Sequence, residues 1–182
     1  MKSLFNMLLL VCFALACLSA QAQYTSPDGA LEVDSTKGWE ALPESGQGVE
    51  YGFLNTSKTT VIRICIYEMN DAPEVVEAFV LTEEFRQRMV DQFSDSSYEN
   101  LKTGTKTMFG REAFVITTVL PADDEPILEG TGNNQYGVAY TVAIGNRLVL
   151  LGIISNDPDP QDKLAVKAFL LGLTVYGVPY AK

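Results

Sequence analysis

The sequence contains no histidine, and this absence removes several kinds of active site. Serine triads and cysteine–histidine pairs need an imidazole as their general base. Most zinc and non-haem iron sites also need imidazole ligands. The Gly-x-Ser-x-Gly turn that carries many hydrolase nucleophiles is missing as well. We therefore predict a protein that is not an enzyme and has no catalytic, cofactor-binding or metal-binding residues.

Positive charge is scarce, because 13 lysines and arginines stand against 23 acidic residues and leave a net charge of −10. A protein that follows the phosphate backbone of a nucleic acid needs a net basic face. Here the basic residues are scattered between acidic runs such as residues 123–125. The charge therefore argues against a nucleic-acid partner and favours solubility.

The sequence also lacks an apolar run of the roughly 20 residues that a membrane-spanning helix needs. Its N-terminal apolar stretch, residues 4–18, is shorter and is interrupted by Asn6. Lys2 precedes this stretch, and Ala20 and Ala22 place small residues where a signal peptidase cleaves. We therefore predict a cleaved signal peptide at residues 1–22.

Cleavage of this leader leaves residues 23–182, which have the length of one ordinary domain with a single core. We expect this mature domain to be exported, either to the periplasm or outside the cell, with no integral membrane segment. The alternative is a lipoprotein, since residues 14–17 end in Cys17, which would become the acylated N-terminus.

Cysteine is rare as well, and of the three in the chain Cys12 and Cys17 belong to the leader. The mature chain therefore retains Cys65 and forms no internal disulfide. Cys65 lies within an apolar strand pattern, which predicts a buried thiol that packs as a small hydrophobe. An intermolecular disulfide is the alternative.

Alternating apolar and β-branched residues predict strands that are joined as hairpins. The clearest hairpins cover residues 49–67 and 135–155, and further strands are predicted at 98–107 and 113–120. Gly145-Asn146 connects the last hairpin and suits the primed turns whose twist matches antiparallel strands.

The later strands are apolar on both sides. Phe114 and Ile116 alternate with Ala113 and Val115, and residues 148–154 follow the same pattern. A sheet built from hairpins normally leaves one face to water, so this sheet needs a cover on both faces. We therefore predict an α+β fold, a three-layer α/β/α sandwich with a mainly antiparallel sheet and one helix on each face.

Two segments have the length and pattern of the covering helices. The first begins at Pro73 with Asp71 as its cap and runs to about residue 93, with a local irregularity at Thr82. The second is C-terminal, with Asp159 as its cap and Pro160 in the first position. Its predicted apolar side consists of Leu164, Ala168, Phe169, Leu171 and Leu173.

This order of elements resembles a known fold family. An aromatic residue follows glycine at Gly38-Trp39, a hairpin and a long helix come next, and residues 110–114 lead into the later strands and a closing helix. The pattern is similar to that of PsbP, the Ran-binding Mog protein and DcrB-type exported proteins over about residues 29–176. The resemblance implies an accessory or binding protein with no catalytic motif to transfer.

Three polar motifs have simpler structural explanations than ligand binding. Residues 157–162 are rich in the oxygen ligands that Ca²⁺ prefers but lack the glycine of an EF-hand loop, so helix capping explains them. Residues 130–132 lack the third glycine of a dinucleotide-binding loop. Residues 55–57 form a glycosylation sequon, which has meaning only in a eukaryotic secretory pathway.

Arg63, Cys65 and Tyr67 form the candidate interaction surface, on the opposite side of their strand from the isoleucines of residues 62–66. Core packing with the Arg63 guanidinium in water is the simpler interpretation. As a binding site, Arg63 would offer two N–H donors to an acidic partner.

The leading functional prediction is an exported accessory protein that binds an unidentified protein partner. The alternative is an extracytoplasmic module that binds a small ligand, and a hydrolase that uses converging carboxylates has the least support. An apolar surface patch would favour the first, an enclosed cavity between sheet and helix the second, and facing acids in a cleft the third.

Overall fold

The computed structural model describes residues 23–43, 49–94, 98–121, 128–129 and 134–181. Several features of the sequence analysis lie outside the described residues: the signal peptide at 1–22 with Cys17 of the lipoprotein alternative, the acidic run at 123–125 and the glycine-containing segment at 130–132.

The described residues form an α+β fold with antiparallel sheets. In chain order the strands are β1 (Tyr24–Thr25), β2 (Leu31–Val33), β3 (Trp39–Ala41), β4 (Val49–Asn55), β5 (Thr60–Glu68), β6 (Glu99–Met108), β7 (Arg111–Leu120), β8 (Gln135–Ile144), β9 (Arg147–Ser155), β10 (Leu173–Val175) and β11 (Val178–Pro179). The helices are α1 (Pro73–Val80), α2 (Glu83–Ser94) and α3 (Leu164–Leu171), and a 3₁₀ turn covers Pro160–Asp162. None of these helices has the length and apolar character to cross a bilayer.

The main sheet has seven strands in the order β3-β4-β5-β9-β8-β7-β6, and every neighbouring pair is antiparallel. Both predicted hairpins are confirmed, as β4 with β5 and β8 with β9. Gly145 has φ +62°, the left-handed conformation that a primed turn requires. The centre of the sheet therefore follows directly from the alternation in the sequence.

A second, four-stranded sheet joins the first and the last strands of the described residues, in the order β1-β2-β10-β11. Strand β10 pairs antiparallel with β2, and Leu173 lies opposite Val33. Strands of two or three residues carry too little alternation for sequence patterns to predict this sheet.

The first face of the main sheet carries the larger core. The isoleucines of β5 at residues 62–66 are buried there, as predicted, together with Tyr140 and Leu151. Phe169 of α3 covers them, and its ring lies 4.9 Å from the ring of Phe53 and 5.2 Å from that of Trp39. Helix α3 is thus held to the sheet by aromatic packing.

The second face packs against α1 and α2. Val76, Val80 and Phe85 from the helices join Phe114 and Ile116 of β7 in a separate apolar cluster. Ion pairs lie at the margin of this cluster, with Arg111 Nη1 2.6 Å from Glu77 Oε1 and Arg86 Nη2 3.1 Å from Glu112 Oε1. The helices therefore contact the sheet through an apolar centre that is bordered by ion pairs.

The first helical region is divided, where the sequence predicts one continuous helix with an irregularity. Helix α1 ends at Val80 and α2 begins at Glu83. Between them the Thr82 hydroxyl donates to the Phe79 carbonyl at 2.7 Å and accepts the Phe85 N–H at 3.2 Å, so it caps α2. The prediction that Asp71 caps α1 is wrong, because Ala72 is the N-cap residue and no side chain forms a capping hydrogen bond.

The C-terminal helix also starts later than predicted. Asp159 and Pro160 introduce the 3₁₀ turn, Lys163 is extended, and α3 begins only at Leu164. The predicted apolar side is wrong in part, since Leu164 is 83% and Leu171 65% exposed. The buried residues of α3 are Val166, Phe169 and Leu170, whose i, i+3, i+4 spacing places them on one helical stripe, and Leu173 is buried in β10.

Candidate functional site

The predicted interaction surface exists on the second face of β5, but its arginine is engaged. Arg63 Nη1 donates to Glu50 Oε1 at 2.8 Å, and both side chains are only part exposed. Since Glu50 takes one of the donors that we expected Arg63 to offer to an acidic partner, the packing interpretation describes this residue better. Tyr67 of the same surface is 43% exposed.

Cys65 lies between Arg63 and Tyr67 and is half-buried rather than fully buried. Burial raises the pKa of its thiol, and the nearby Glu50 carboxylate acts in the same direction. A raised pKa means that less thiolate is present at any pH below it, and the thiolate is the reactive form.

We expect a chromogenic thiol reagent to modify Cys65 of the folded protein roughly tenfold more slowly than it modifies the unfolded chain. The measurement uses residues 23–182 just below the ordinary thiol pKa of about 8.5, with the same chain in denaturing guanidinium as control. The folded rate should rise as the pH rises, because the thiolate fraction grows. Equal rates in the two states would show that neither burial nor the raised pKa protects this thiol.

Strand β6 forms one edge of the main sheet and is the longest exposed element. It has ten residues, and all except Leu101 and Met108 are exposed. Within the part of the chain that the structure describes, no strand pairs with its outer side, and the opposite edge is the three-residue β3. Long open edges are rare in proteins because they invite pairing with another chain.

A groove runs along β6 on the first face of the sheet, and we call it the lysine groove. Its volume is about 280 Å³, and Lys102 and Lys106 supply its positive charge. The Lys106 ammonium lies 5.3 Å from the centre of the Tyr140 ring. Burial raises the pKa of Tyr140, so its hydroxyl stays neutral at physiological pH. Its lining consists of Lys102, Thr103, Gly104, Thr105, Lys106, Val115, Thr117, Val138, Tyr140 and Gln161.

The lysine groove continues past Gln161 along the segment before α3. This continuation has a volume of about 350 Å³, and residues 158–161 form its wall. Asp159 contributes an acidic group to that wall. The positive charge is thus concentrated at the β6 end.

A second groove lies on the other side of β6, between this strand and α2, and we call it the helix groove. Its volume is about 380 Å³. Val90, Leu101 and Phe114 make part of it apolar, and the guanidinium of Arg86 lies 5.6 Å from the centre of the Phe114 ring. Gly104 lines both grooves, so the edge strand separates two accessible channels.

Each groove contains a residue with a buried polar atom that lacks a hydrogen-bond partner among the described residues. These atoms are the side-chain oxygen of Gln161 beside the lysine groove and Nε of Arg86 beside the helix groove. Buried polar atoms are nearly always paired in folded proteins. Nε of Arg147, which lines neither groove, is a third such atom, so the unpaired atoms are not confined to the two grooves.

The sequence reasoning missed this edge and assigned no role to β6. A signal was present, because Lys102, Thr103, Thr105 and Lys106 make this strand polar on both sides, whereas its neighbour β7 is apolar on both. A strand that is polar on both sides in a sheet with two covered faces is typical of an edge.

Two of the acidic residues that suggested a calcium site, Asp157 and Asp162, each form an ion pair with a lysine. Asp157 Oδ2 lies 3.4 Å from Lys163 Nζ, and Asp162 Oδ1 lies 2.9 Å from Lys167 Nζ. Nowhere in the described ranges do three or more histidine, cysteine or acidic side chains converge as metal ligands would. The lysines therefore balance the negative charge of these two carboxylates.

The sequon residue Asn55 is occupied in its turn. Its amide donates to Ser57 Oγ at 2.9 Å and accepts the N–H groups of Thr59 at 2.8 Å and Thr60 at 3.0 Å. The side chain therefore serves to close the β4–β5 hairpin.

Comparison with known proteins finds likeness in structure only. No protein-family model and no curated protein matches the sequence. A crystal structure from Bacteroides thetaiotaomicron aligns with a TM-score of 0.54 at 12% identity, over 84% of this chain and 47% of that one, so the chain spans about half its length. LpqN of Mycobacterium tuberculosis, described as involved in cell envelope biogenesis, aligns with a TM-score of 0.50 at 13% identity, over 85% and 89% of the two chains.

The Ran-binding protein Mog1p of Saccharomyces cerevisiae also aligns, with a TM-score of 0.48 at 11% identity, over 84% of this chain and 94% of that one. Identities this low indicate a shared architecture and carry no function with them. The chain thus has the α+β fold seen in LpqN and in the Bacteroides thetaiotaomicron protein.

Proposed function

We propose that this protein is an exported, non-enzymatic accessory protein that binds another protein through the edge of its main sheet. The observation that carries the proposal is the exposed ten-residue strand β6 with a groove on each side. Grooves beside an open strand suit an extended protein segment better than an enclosed substrate, because they leave backbone and side-chain positions accessible together.

The place of action in this proposal rests on the leader. A cleaved signal peptide at residues 1–22 would deliver the mature domain to the periplasm or the cell exterior. LpqN, which shares the fold, is described as involved in cell envelope biogenesis, and an envelope role for this chain is consistent with that description. The finer assignment, a three-layer α/β/α member of the PsbP, Mog and DcrB-like group, belongs to the same proposal.

A small-ligand-binding module is the second candidate. The grooves beside β6 have volumes of about 280 and 380 Å³, at the lower end of the range for small-molecule sites. Lys102 and Lys106 would suit an anionic ligand. Both grooves are open to solvent along β6 rather than closed cavities, which is why protein binding ranks first.

Affinity recovery with residues 23–182 as bait, from envelope extract of the protein's own source, tests the proposed function. We expect a reproducible protein partner that is lost when Lys102→Glu and Lys106→Glu are combined. Lys37→Glu changes an exposed lysine away from β6 and should keep the partner. Recovery of a small molecule without any protein would favour the second candidate, and recovery of neither would overturn protein binding.

Arg63→Ala in the same recovery experiment tests the earlier candidate surface. We expect no change in the recovered partner, because Arg63 is held by Glu50. Loss of the partner with Arg63→Ala, but not with the lysine variants, would move the binding surface to the second face of β5.

A further inference from the structure

We propose that β6 binds its partner by strand addition, with an extended segment that carries acidic residues pairing along the outer edge. This proposal rests on the proposed function that the protein binds another protein, and it adds the mode of binding and the chemistry of the partner. In strand addition, backbone hydrogen bonds provide affinity and alternate side chains provide specificity.

The backbone groups that would pair can be identified from the turn after β6. Phe109 and Gly110 both have positive φ, +53° and +69°, which defines a type I′ turn, and Met108 lies opposite Arg111. That turn makes Met108 and Arg111 a hydrogen-bonded pair, and pairs of this kind alternate along an antiparallel ladder. Counting by twos, the N–H and C=O groups of Thr103, Thr105 and Thr107 point away from β7.

The regular part of β6 sets the length of the partner segment. The register with β7 is continuous from Lys102 to Met108 and shifts between Glu99 and Lys102, where the strand is irregular. A bulge ends regular pairing locally. The edge therefore accepts a segment of about six or seven residues.

The lysine groove determines the charge of the partner segment. Lys102 and Lys106 lie on the same face of β6, about 13 Å apart along the strand. On an added strand, the positions opposite them are also four residues apart and face the lysine groove. Acidic residues at those two positions would place carboxylates beside the ammonium groups, in a protein whose net charge is −10.

The helix groove determines the side chains between those acids. Neighbouring positions of an added strand point to opposite faces, so the residues next to each acid face the helix groove, where Val90, Leu101 and Phe114 form the apolar part of a lining that also includes Glu83, Arg86 and Gln87. These apolar linings suit valine or isoleucine. The expected segment therefore reads acidic, apolar, any residue, apolar, acidic.

In the symmetric register centred on Gly104, a second copy of this chain is a poor occupant of the same edge. When two β6 strands pair antiparallel with Gly104 opposite Gly104, Lys102 lies opposite Lys106 of the second copy at both ends. Like charges directly opposite one another are destabilising in a strand pair. The lysines thus act against self-pairing and favour an acidic partner segment.

The test uses one backbone donor that only the added strand needs. Thr105→Pro removes the N–H of Thr105, which faces away from β7, so the variant should keep its fold. Thr105→Ala is the matched control, because it removes the side chain and keeps the N–H. The probe is a blocked synthetic peptide containing Glu-Val-Thr-Val-Glu, and the same peptide with lysine for glutamate is the charge control.

We expect the acidic peptide to shift the amide resonances of Thr103, Thr105 and Thr107 and to slow their hydrogen exchange. Thr105→Pro should weaken binding by about tenfold or more, and Thr105→Ala should stay within about twofold of the wild type. The lysine peptide should fail to bind. Thermal unfolding of Thr105→Pro close to that of the wild type shows that the loss is one of pairing.

Strand addition is wrong if the acidic peptide leaves the β6 amides unchanged, or if Thr105→Pro binds it as well as Thr105→Ala does. If the Thr105→Pro variant still recovers the protein partner, the strand-addition proposal is wrong, and the proposal that the protein binds another protein still holds. A concentration-dependent dimer that Thr105→Pro abolishes would overturn the acidic partner in favour of a second copy. Absence of any recovered partner would overturn the proposed function itself.

Discussion

Phe169→Ala is expected to lower the free energy of unfolding by about 3–5 kcal/mol. The Phe169 ring is 1% exposed and lies between the rings of Phe53 and Trp39. Truncation removes the apolar area that holds α3 to the first face and leaves a cavity, because the strands beneath are fixed by their ladder and cannot collapse into it. The loss therefore exceeds the transfer free energy of the side chain alone.

Urea denaturation of residues 23–182 measures this loss as a lower midpoint with an unchanged slope. Leu171→Ala is the matched control, since Leu171 lies on the same helix and is 65% exposed. We expect it to change the free energy of unfolding by no more than about 0.5 kcal/mol. Equal effects of the two substitutions would mean that α3 is not anchored through Phe169.

Ser155→Ala is expected to cost about 1–3 kcal/mol, a large effect for the loss of one oxygen atom. Ser155 is fully buried at the end of β9, and its hydroxyl donates to the Thr59 carbonyl at 3.0 Å. The single proton is used in that bond, so Thr60 Oγ1, 2.8 Å away, donates to Ser155. The Asp157 N–H also donates to Ser155 Oγ, at 3.2 Å. Alanine would leave the buried Thr60 hydroxyl without this acceptor, whereas the Thr59 carbonyl keeps its bond from the Asn156 N–H.

A double-mutant cycle with Thr60→Val separates this network from simple packing. Thr60→Val removes the hydroxyl that donates a hydrogen bond to Ser155 Oγ. When Ser155→Ala is then added, this hydroxyl is no longer there to be left without an acceptor. We expect the double variant to lose less stability than the two single variants together, by about 0.5–3 kcal/mol. Strict additivity would show that the two hydroxyls act independently, contrary to the 2.8 Å contact between them.

The sheet could be predicted from particular residues because its signal is local. Alternation at residues 60–66 and the Gly145-Asn146 turn each fix a strand or a hairpin without reference to the rest of the chain. The side-chain period of a strand decides which residues share a face, and so Ile62 and Arg63 were correctly placed on opposite faces.

The candidate site could not be predicted in the same way, because it depends on the absence of a described strand beside β6. Whether β6 is an edge depends on which other strands reach it, and Lys102 and Gln161 line one groove only after residues 59 positions apart in the sequence are brought together. The engagement of Arg63 by Glu50 is a similar case, since the pair crosses between β4 and β5. Side-chain partners across strands are set by tertiary packing rather than by local pattern.

The sequence by itself determined the absence of histidine, the negative charge and the alternation that builds an antiparallel sheet, whereas the leader at residues 1–22 stays a prediction. These depend on composition and on periods of two, which need no knowledge of distant residues. The tertiary structure alone decided the small sheet that joins β2 to β10, the face that α3 presents and the edge position of β6. The physical reason is that burial and strand pairing each involve two segments that are distant in the sequence. The local pattern of one segment therefore cannot show which other segment will cover it or pair with it.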